Sequence, residues 1–282
     1  MHGLLIRDKK ELSEQEKAAD MLAGESAMSK LTTLINHKKS KNYSSESFSL
    51  TLELLKLNPE LSLAWNYRRE IILNSSVSLL EELTLLNSVM LDMQMTKSYC
   101  LWNHRRWVLL ELKRRDQLDD SNLRSEMTIV ETIHSLDSRN FHAWSYRKFL
   151  TDHFNIQVDD IQYSTKLIEA DFSCYSAWFL RTTQVDDLNP VEELDLVWNA
   201  IFTEPNDQSA WQYHDWLVEK FDSTLKAKDE EYLNELESVI DVKDSKYVLI
   251  QKLKKSEEEE RDEIRQRLCQ IDPMRRGYYN SE

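Results

Sequence analysis

A tryptophan followed by a polar pair and an arginine recurs along most of this chain, and that recurrence limits the folds open to it. The motif reads Trp65-Asn66-Tyr67-Arg68, Trp102-Asn103-His104-Arg105 and Trp144-Ser145-Tyr146-Arg147. Weaker copies follow at Trp178-Phe179-Leu180-Arg181 and Trp211-Gln212-Tyr213-His214. Successive tryptophans lie 37, 42, 34 and 33 residues apart. Self-similarity at that period marks a solenoid, whose units bury their apolar faces only against their neighbours.

Each tryptophan follows an apolar run and a short polar turn, as in Leu57-Asn58-Pro59-Glu60, Leu136-Asp137-Ser138-Arg139-Asn140, Ala170-Asp171-Phe172-Ser173 and Thr203-Glu204-Pro205-Asn206. Asn, Asp, Ser and Pro at such a point stop one helix and cap the next. Each unit therefore reads as helix, tight turn, helix, with the tryptophan in the first turns of the second helix. The arginine three residues on shares nearly the same face. Its planar fork is suited to stacking on an indole, or to tying the next turn's carbonyls and carboxylates. On this reading Trp65, Trp102, Trp144, Trp178, Trp211, Arg68, Arg105, Arg147 and Arg181 are structural staples of the repeat.

Glycine is almost missing: Gly3, Gly24 and Gly277 are the only three in 282 residues. Hairpin turns and phosphate-cradling loops use glycine for positive φ. The chain is therefore expected to be all-α, a right-handed superhelical solenoid or crescent of helical hairpins, without a glycine-rich nucleotide loop. A formal net charge of −14 disfavours nucleic acid along a basic face. Three scattered cysteines, Cys100, Cys174 and Cys269, read as reduced thiols. No apolar run approaches the roughly 20 residues of a membrane span, and the N-terminus lacks a signal-peptide core. Together these features point to a cytoplasmic protein.

Residues 1–45 are expected to form an N-terminal arm or cap, weakly helical at first and then a basic connection over 31–45. Residues 46–282 hold the repeats, about five clear and one or two degenerate at the C-terminus. The hairpins pair Ser47–Leu57 with Leu61–Asn74, Leu79–Met93 with Ser98–Arg115, and Leu123–Leu136 with Phe141–Phe154. They continue with Ile161–Ala170 against Ser173–Val185 and Val191–Phe202 against Asp207–Phe221. Phe48, Leu52, Leu55, Ile71 and Ile72 are expected in the core of the first. A sixth, lacking its tryptophan, would pair Tyr232–Ile240 with Tyr247–Leu253. The run Glu257–Glu260 reads as a solvated helix face.

A self-contained active site is hard to find. No Cys/His cluster has zinc-ligand spacing, so no metal is expected on this chain. Asp119-Asp120, Asp159-Asp160 and Asp186-Asp187 lack the third aspartate of a magnesium-diphosphate motif and read as helix starts or loops. His2 is a lone histidine in a tail. There remain potential anion contacts at the starts of second helices, Lys97 and Tyr99 before Trp102, and Asn140, Phe141 and His142 before Trp144. Helix N-termini offer free N–H groups and partial positive charge. A lysine there adds a compact cation, and Tyr and His add hydrogen-bond donors. The bland alternative is an exposed lysine beside a half-buried tyrosine.

The Trp-x-x-Arg core and its lead-in resemble the repeat of protein prenyltransferase alpha subunits over about residues 45–280. The stretch Asn199–His214, with Met1-His2-Gly3, Lys97-Ser98-Tyr99 and Arg139-Asn140-Phe141-His142, is most similar to the alpha subunits of type II, or Rab, geranylgeranyltransferases in a compact fungal-type form. The resemblance implies an enzyme active only with a beta subunit, an α-α barrel that carries the catalytic zinc and most of the isoprenoid pocket. It implies transfer of geranylgeranyl from geranylgeranyl diphosphate to C-terminal cysteines of Rab GTPases presented by a Rab escort protein. It gives Lys97, Tyr99 and His142 catalytic roles at the diphosphate, with no cofactor bound by this chain itself. Phe141 stands where farnesyltransferase-type subunits have tyrosine, so one donor is missing. The alternative is a non-catalytic tetratricopeptide-like adaptor, whose consensus puts tryptophan in the first helix and uses glycine. Here tryptophan opens the second helix.

Overall fold

The computed structural model describes residues 14–239 and 245–280, with side chains from Met21 onward, residue 222 apart. His2 and Gly3 lie outside them, as does Ile240 at the edge of the expected sixth hairpin. The described residues are helical with no strand. In chain order they form α1 (Glu14–Lys39), α2 (Ser45–Leu57), α3 (Ser62–Asn74), α4 (Leu79–Val89), α5 (Tyr99–Arg114), α6 (Asp120–Leu136) and α7 (Phe141–Phe154). These are followed by α8 (Asp160–Ala170), α9 (Tyr175–Thr182), α10 (Pro190–Thr203), α11 (Gln208–Val239), α12 (Lys246–Lys255), α13 (Glu258–Ile271) and α14 (Arg276–Tyr279). Two compact units emerge. One holds the described residues up to Ile133 together with Asn140–Phe154; the other holds His134–Arg139 and the described residues from Asn155 on.

Within the first unit α2 packs on α3 and α4 on α5, while the second helices α3, α5 and α7 pack side by side. Within the second unit α8 packs on α9, α10 on α11, and α12 on α13, with α9, α11 and α12 in succession. The helices start where the polar turns predict. Ser44, Ser78, Ser98 and Asp159 each accept from a backbone N–H one turn on, and Asn189 caps α10 with Pro190 at its first position. Of the expected core, Leu55, Ile71 and Ile72 are fully buried. Phe48 and Leu52 are half-buried, and the buried Arg68 guanidinium covers the Phe48 ring at 3.7 Å.

Three boundaries differ from expectation. Residues 31–39 are the end of α1 rather than a loop: Leu34 is fully buried, and His37, Lys38 and Lys39 complement the helix C-terminus. The chain then turns at Lys41 with φ 54°. The helix α4 stops at Val89, and Asp92 closes a turn by accepting from Gln94 N at 2.8 Å. The helix α11 runs past Phe221 to Val239, bending there at φ −125°, ψ 26°. No Pro or Gly follows Phe221 to end the helix. Glycine's absence is met in an unexpected way. Lys41, Asp116 and Asn155 take the left-handed positions after α1, α5 and α7, and the N–H of Gln117 closes back on the Leu112 carbonyl at 2.9 Å.

The repeated residues make repeated contacts. Four of the repeat indoles donate to the carbonyl six residues earlier, in the preceding turn: Trp65 to Pro59 at 2.8 Å, Trp102 to Thr96 at 2.7 Å, Trp178 to Phe172 at 2.8 Å and Trp211 to Pro205 at 2.8 Å. The arginine forks reach carboxylates on the next hairpin. Arg68 donates to Glu82 through Nε at 2.7 Å and Nη2 at 2.6 Å; Arg105 donates to Glu126 through both at 2.7 Å. Arg181 grips Glu193 in the same way, with Nε to Oε2 at 2.8 Å.

Each of those carboxylates is then met from its own hairpin by the residue two after the tryptophan. His104 Nε2 lies 2.8 Å from Glu82, Tyr146 donates to Glu126 at 2.6 Å, and Tyr213 donates to Glu193 at 2.6 Å. Burial of a charge is costly unless it is paired and hydrogen-bonded, and here both conditions hold. Of the two expected roles the motif arginines take the second. Stacking on an indole is made by Arg69, the residue after the motif, over Trp107 at 5.4 Å, while Arg68 lies over Phe48 and Arg106 over Phe149 at 5.2 Å. Trp144 holds the corresponding place in α7, and Arg147 is buried.

Candidate functional site

At one edge of the first unit, the turn of each hairpin is tied to the turn before it. The Ser98 hydroxyl, which caps α5, also donates to the Pro59 carbonyl at 3.1 Å, the same oxygen that receives the Trp65 indole. One unit further on, Asn140 Nδ2 donates to the Thr96 carbonyl at 3.2 Å, beside the Trp102 indole. Lys97 is the last residue of a 3₁₀ turn, Met95–Lys97, and Tyr99 is the first of α5. His142 is the second residue of α7.

These three residues come together at neighbouring helix starts. Lys97 and Tyr99 project outward, Tyr99 being 64% exposed, whereas His142 is only 9% exposed. The Tyr99 and His142 rings lie 6.3 Å apart, centre to centre. Phe141, 65% exposed, packs on His142 at 3.9 Å and brings no polar group. Burial lowers the His142 pKa, and a hydrogen bond with the Lys97 backbone partly opposes this. The imidazole is thus neutral at pH 7, and the Lys97 backbone engages its single N–H. The arrangement presents an ammonium, a phenol and an imidazole at one edge, together with the N-terminal ends of two helices. That combination suits a polyanion.

The remaining candidates lie elsewhere. Asp119 and Asp159 cap α6 and α8, while Asp186 and Asp187 lie in the 3₁₀ turn Val185–Asp187. Glu258, Glu259 and Glu260 form the exposed first turn of α13. Cys174 is buried against the Ser138 carbonyl and Cys100 is half-buried. Among the described residues no group of three or more His, Cys, Asp or Glu side chains is placed to hold a metal ion. Nor is any described helix long and apolar enough to cross a membrane.

The protein prenyltransferase alpha subunit repeat matches residues 44–75, 79–112, 123–154 and 190–221. A geranylgeranyl transferase type-2 subunit alpha from Saccharomyces cerevisiae is 32% identical over 265 residues, covering 85% of this chain and 79% of that one. The chain belongs to the prenyltransferase alpha-subunit family, among the type-2 geranylgeranyl transferases. The Candida albicans type-2 alpha subunit is 30% identical over 253 residues, 70% of this chain and 67% of the relative. The Homo sapiens type-2 alpha subunit is 32% identical over 250 residues, 79% of this chain but 42% of its own length. This chain therefore spans less than half of its human relative. Among solved structures, Candida albicans protein geranylgeranyltransferase-I complexed with GGPP has the same fold, with TM-score 0.73 and 24% identity over 91% of this chain and 89% of that one.

Membership of the alpha-subunit family agrees with the all-α helical-repeat fold expected from the tryptophan period. The four matched segments frame the hairpin α8–α9, which lies outside them. That hairpin nevertheless makes the same contacts as the matched ones through Trp178, Arg181 and Glu193. Sequence reasoning offered carboxylates as partners for the arginine forks but did not pick out which ones. Glu82, Glu126 and Glu193 follow their arginines by 14, 21 and 12 residues, so no fixed spacing marks them. It also missed Thr96, whose contribution is a backbone carbonyl.

Proposed function

We propose that this chain is the alpha half of a two-subunit geranylgeranyl transferase that moves the lipid from geranylgeranyl diphosphate to C-terminal cysteines of Rab GTPases in the cytoplasm. Residues 46–282 are the repeat array and residues 1–45 an arm. The beta subunit carries the zinc and most of the lipid pocket, and an escort protein presents the Rab tail. The observation that carries the reading is the convergence of Lys97, Tyr99 and His142 at adjacent helix starts.

When the allylic C–O bond breaks, negative charge grows on the diphosphate oxygens, and donors aimed there lower the barrier. Lys97 supplies the compensating charge on a flexible stem. The Tyr99 hydroxyl adds a donor. His142 adds its imidazole from a partly dry position, where a hydrogen bond is worth more than in water.

The test is prenyl transfer to a Rab tail by this chain co-expressed with a type-2 beta subunit. The complex should be active and the isolated chain inactive. Lys97→Ala should lower kcat about 10²-fold with assembly intact, a loss in the range of one removed transition-state donor. Full turnover by Lys97→Ala would refute the diphosphate assignment. Failure to assemble with any such beta subunit would favour the adaptor.

A further inference from the structure

We infer that Asn140 is a positioning residue for the transfer: its side-chain amide sets where the Met95–Lys97 turn, and with it the Lys97 ammonium, stands relative to His142. This rests on the diphosphate reading of those two residues.

Asn140 is 4% exposed, and both ends of its amide are used. Its Oδ1 accepts from the backbone N–H groups of His142 and Ala143, at 3.1 Å each, and so caps the helix that carries His142. Its Nδ2 donates to the Thr96 carbonyl at 3.2 Å and lies 3.4 Å from the Thr96 hydroxyl. That hydroxyl is itself turned to the Met93 carbonyl at 2.8 Å. One buried planar group thus spans the two candidate elements, an acceptor on one side and a donor on the other. A flexible, exposed lysine can place its charge only as well as its backbone is placed, so the tie at Thr96 bears directly on Lys97.

The same position in the other hairpins is not built this way. Leu61 offers no side-chain cap, Ser98 and Cys174 reach the previous turn with a single atom, and Asp207 caps α11 through Oδ1 while its Oδ2 accepts from the Ser173 hydroxyl, a side chain rather than the backbone of the previous turn. The amide occurs only where the candidate residues meet. A cap and staple could have been made with the commoner serine or aspartate.

The two halves of the amide can be separated in the complex with the beta subunit. Asn140→Asp keeps the acceptor for α7 and removes the donor to Thr96. It should leave the thermal midpoint and the KM for geranylgeranyl diphosphate nearly unchanged while lowering kcat roughly tenfold. In a Lys97→Ala background the same change should cost nothing further, because the group it positions is gone. Were the aspartate variant destabilised, Asn140→Gly, a tolerated cap with no side chain to reach Thr96, should give the same split. A normal kcat, or a loss that adds in full to that of Lys97→Ala, would overturn the inference while leaving the diphosphate reading intact. A normal kcat for Lys97→Ala alone would remove both.

Discussion

Arg105 and Glu126 meet through two parallel hydrogen bonds, Nε to Oε2 and Nη2 to Oε1, each 2.7 Å, with neither side chain exposed. The tyrosine hydroxyl of Tyr146 closes the third side of the same carboxylate. Removing one partner of such a pair strands the other without water. Glu126→Ala should therefore destabilise the chain by about 3–5 kcal/mol in chemical denaturation. Replacing both residues with leucine-sized apolar side chains should cost much less. A cost for Glu126→Ala under about 1 kcal/mol would show that water enters and the carboxylate is not holding the hairpins together.

The first latch, Arg68–Glu82, is built with His104 where the others use tyrosine, and this gives it an acid limit. Burial drives the His104 pKa down to about 4. Burial raises Glu82, but hydrogen bonds from His104 and Arg68 outweigh it and hold Glu82 at about 2. Between pH 6.5 and 4 the unfolded chain takes up a proton at His104 that the folded chain refuses. Between about 4.5 and 2 the same holds for Glu82. The contribution of this latch to stability should thus be complete above pH 6.5 and fall steadily on acidification. His104→Tyr should flatten the upper part of that curve. A variant that kept the full slope from 6.5 to 4 would place the titration elsewhere.

At the far end the sign reverses. His214 replaces arginine and sits with Nε2 2.6 Å from Asp229 and Nδ1 3.6 Å from Asp215. Burial pushes its pKa down, yet the two carboxylates prevail and hold it above the ordinary value. Lys254 and Lys255 face the same carboxylates from α12, and Trp198 donates to Asp229. The charged imidazole therefore contributes stability below pH 6.5, lost as pH rises through the folded pKa. Limited proteolysis should release α12 more readily at pH 9 than at pH 6. The opposite order would contradict the assignment.

The hairpins were legible because tryptophan, turn residues and apolar spacing repeat on a scale that the sequence displays directly. Lys97, Tyr99 and His142 could be listed as possible anion contacts from their place at helix starts, but the roles expected of them came from the resemblance to prenyltransferase alpha subunits. The carboxylates were not legible. Their distance from the arginine varies with the length of the intervening loop, so Glu82 and Glu126 look like any other helix-start glutamate. The continuation of α11 beyond Phe221 was hidden because its bend is made by backbone angles, without proline or glycine.

Lys41 holds a left-handed conformation, φ 54°, that a side chain with a Cβ pays for. Lys41→Gly should raise stability by about 1 kcal/mol, read as a higher denaturation midpoint at unchanged slope. No gain would mean that contacts of the lysine stem offset the strain.

His142 offers one N–H while neutral, and the Lys97 backbone already engages the ring. Contact with a polyanion then favours uptake of a proton, which frees a second donor. Inorganic pyrophosphate added to the two-subunit complex should raise the His142 pKa, measured by NMR of labelled histidine. Lys97→Ala should weaken the response, and a pKa unmoved by saturating pyrophosphate would place the anion elsewhere.

Glu82, Glu126 and Glu193 are each shared, one side held by the hairpin before and the other by their own. These joins therefore share one chemistry, an arginine fork on a buried carboxylate, at Arg68–Glu82, Arg105–Glu126 and Arg181–Glu193. A lineage built this way can lengthen or shorten by whole hairpins without inventing a new seam, whereas a cut inside a hairpin strands a charge. The histidine–aspartate join at His214 and Asp229 does not follow that rule, so the chain's last units are the ones such editing cannot reshuffle.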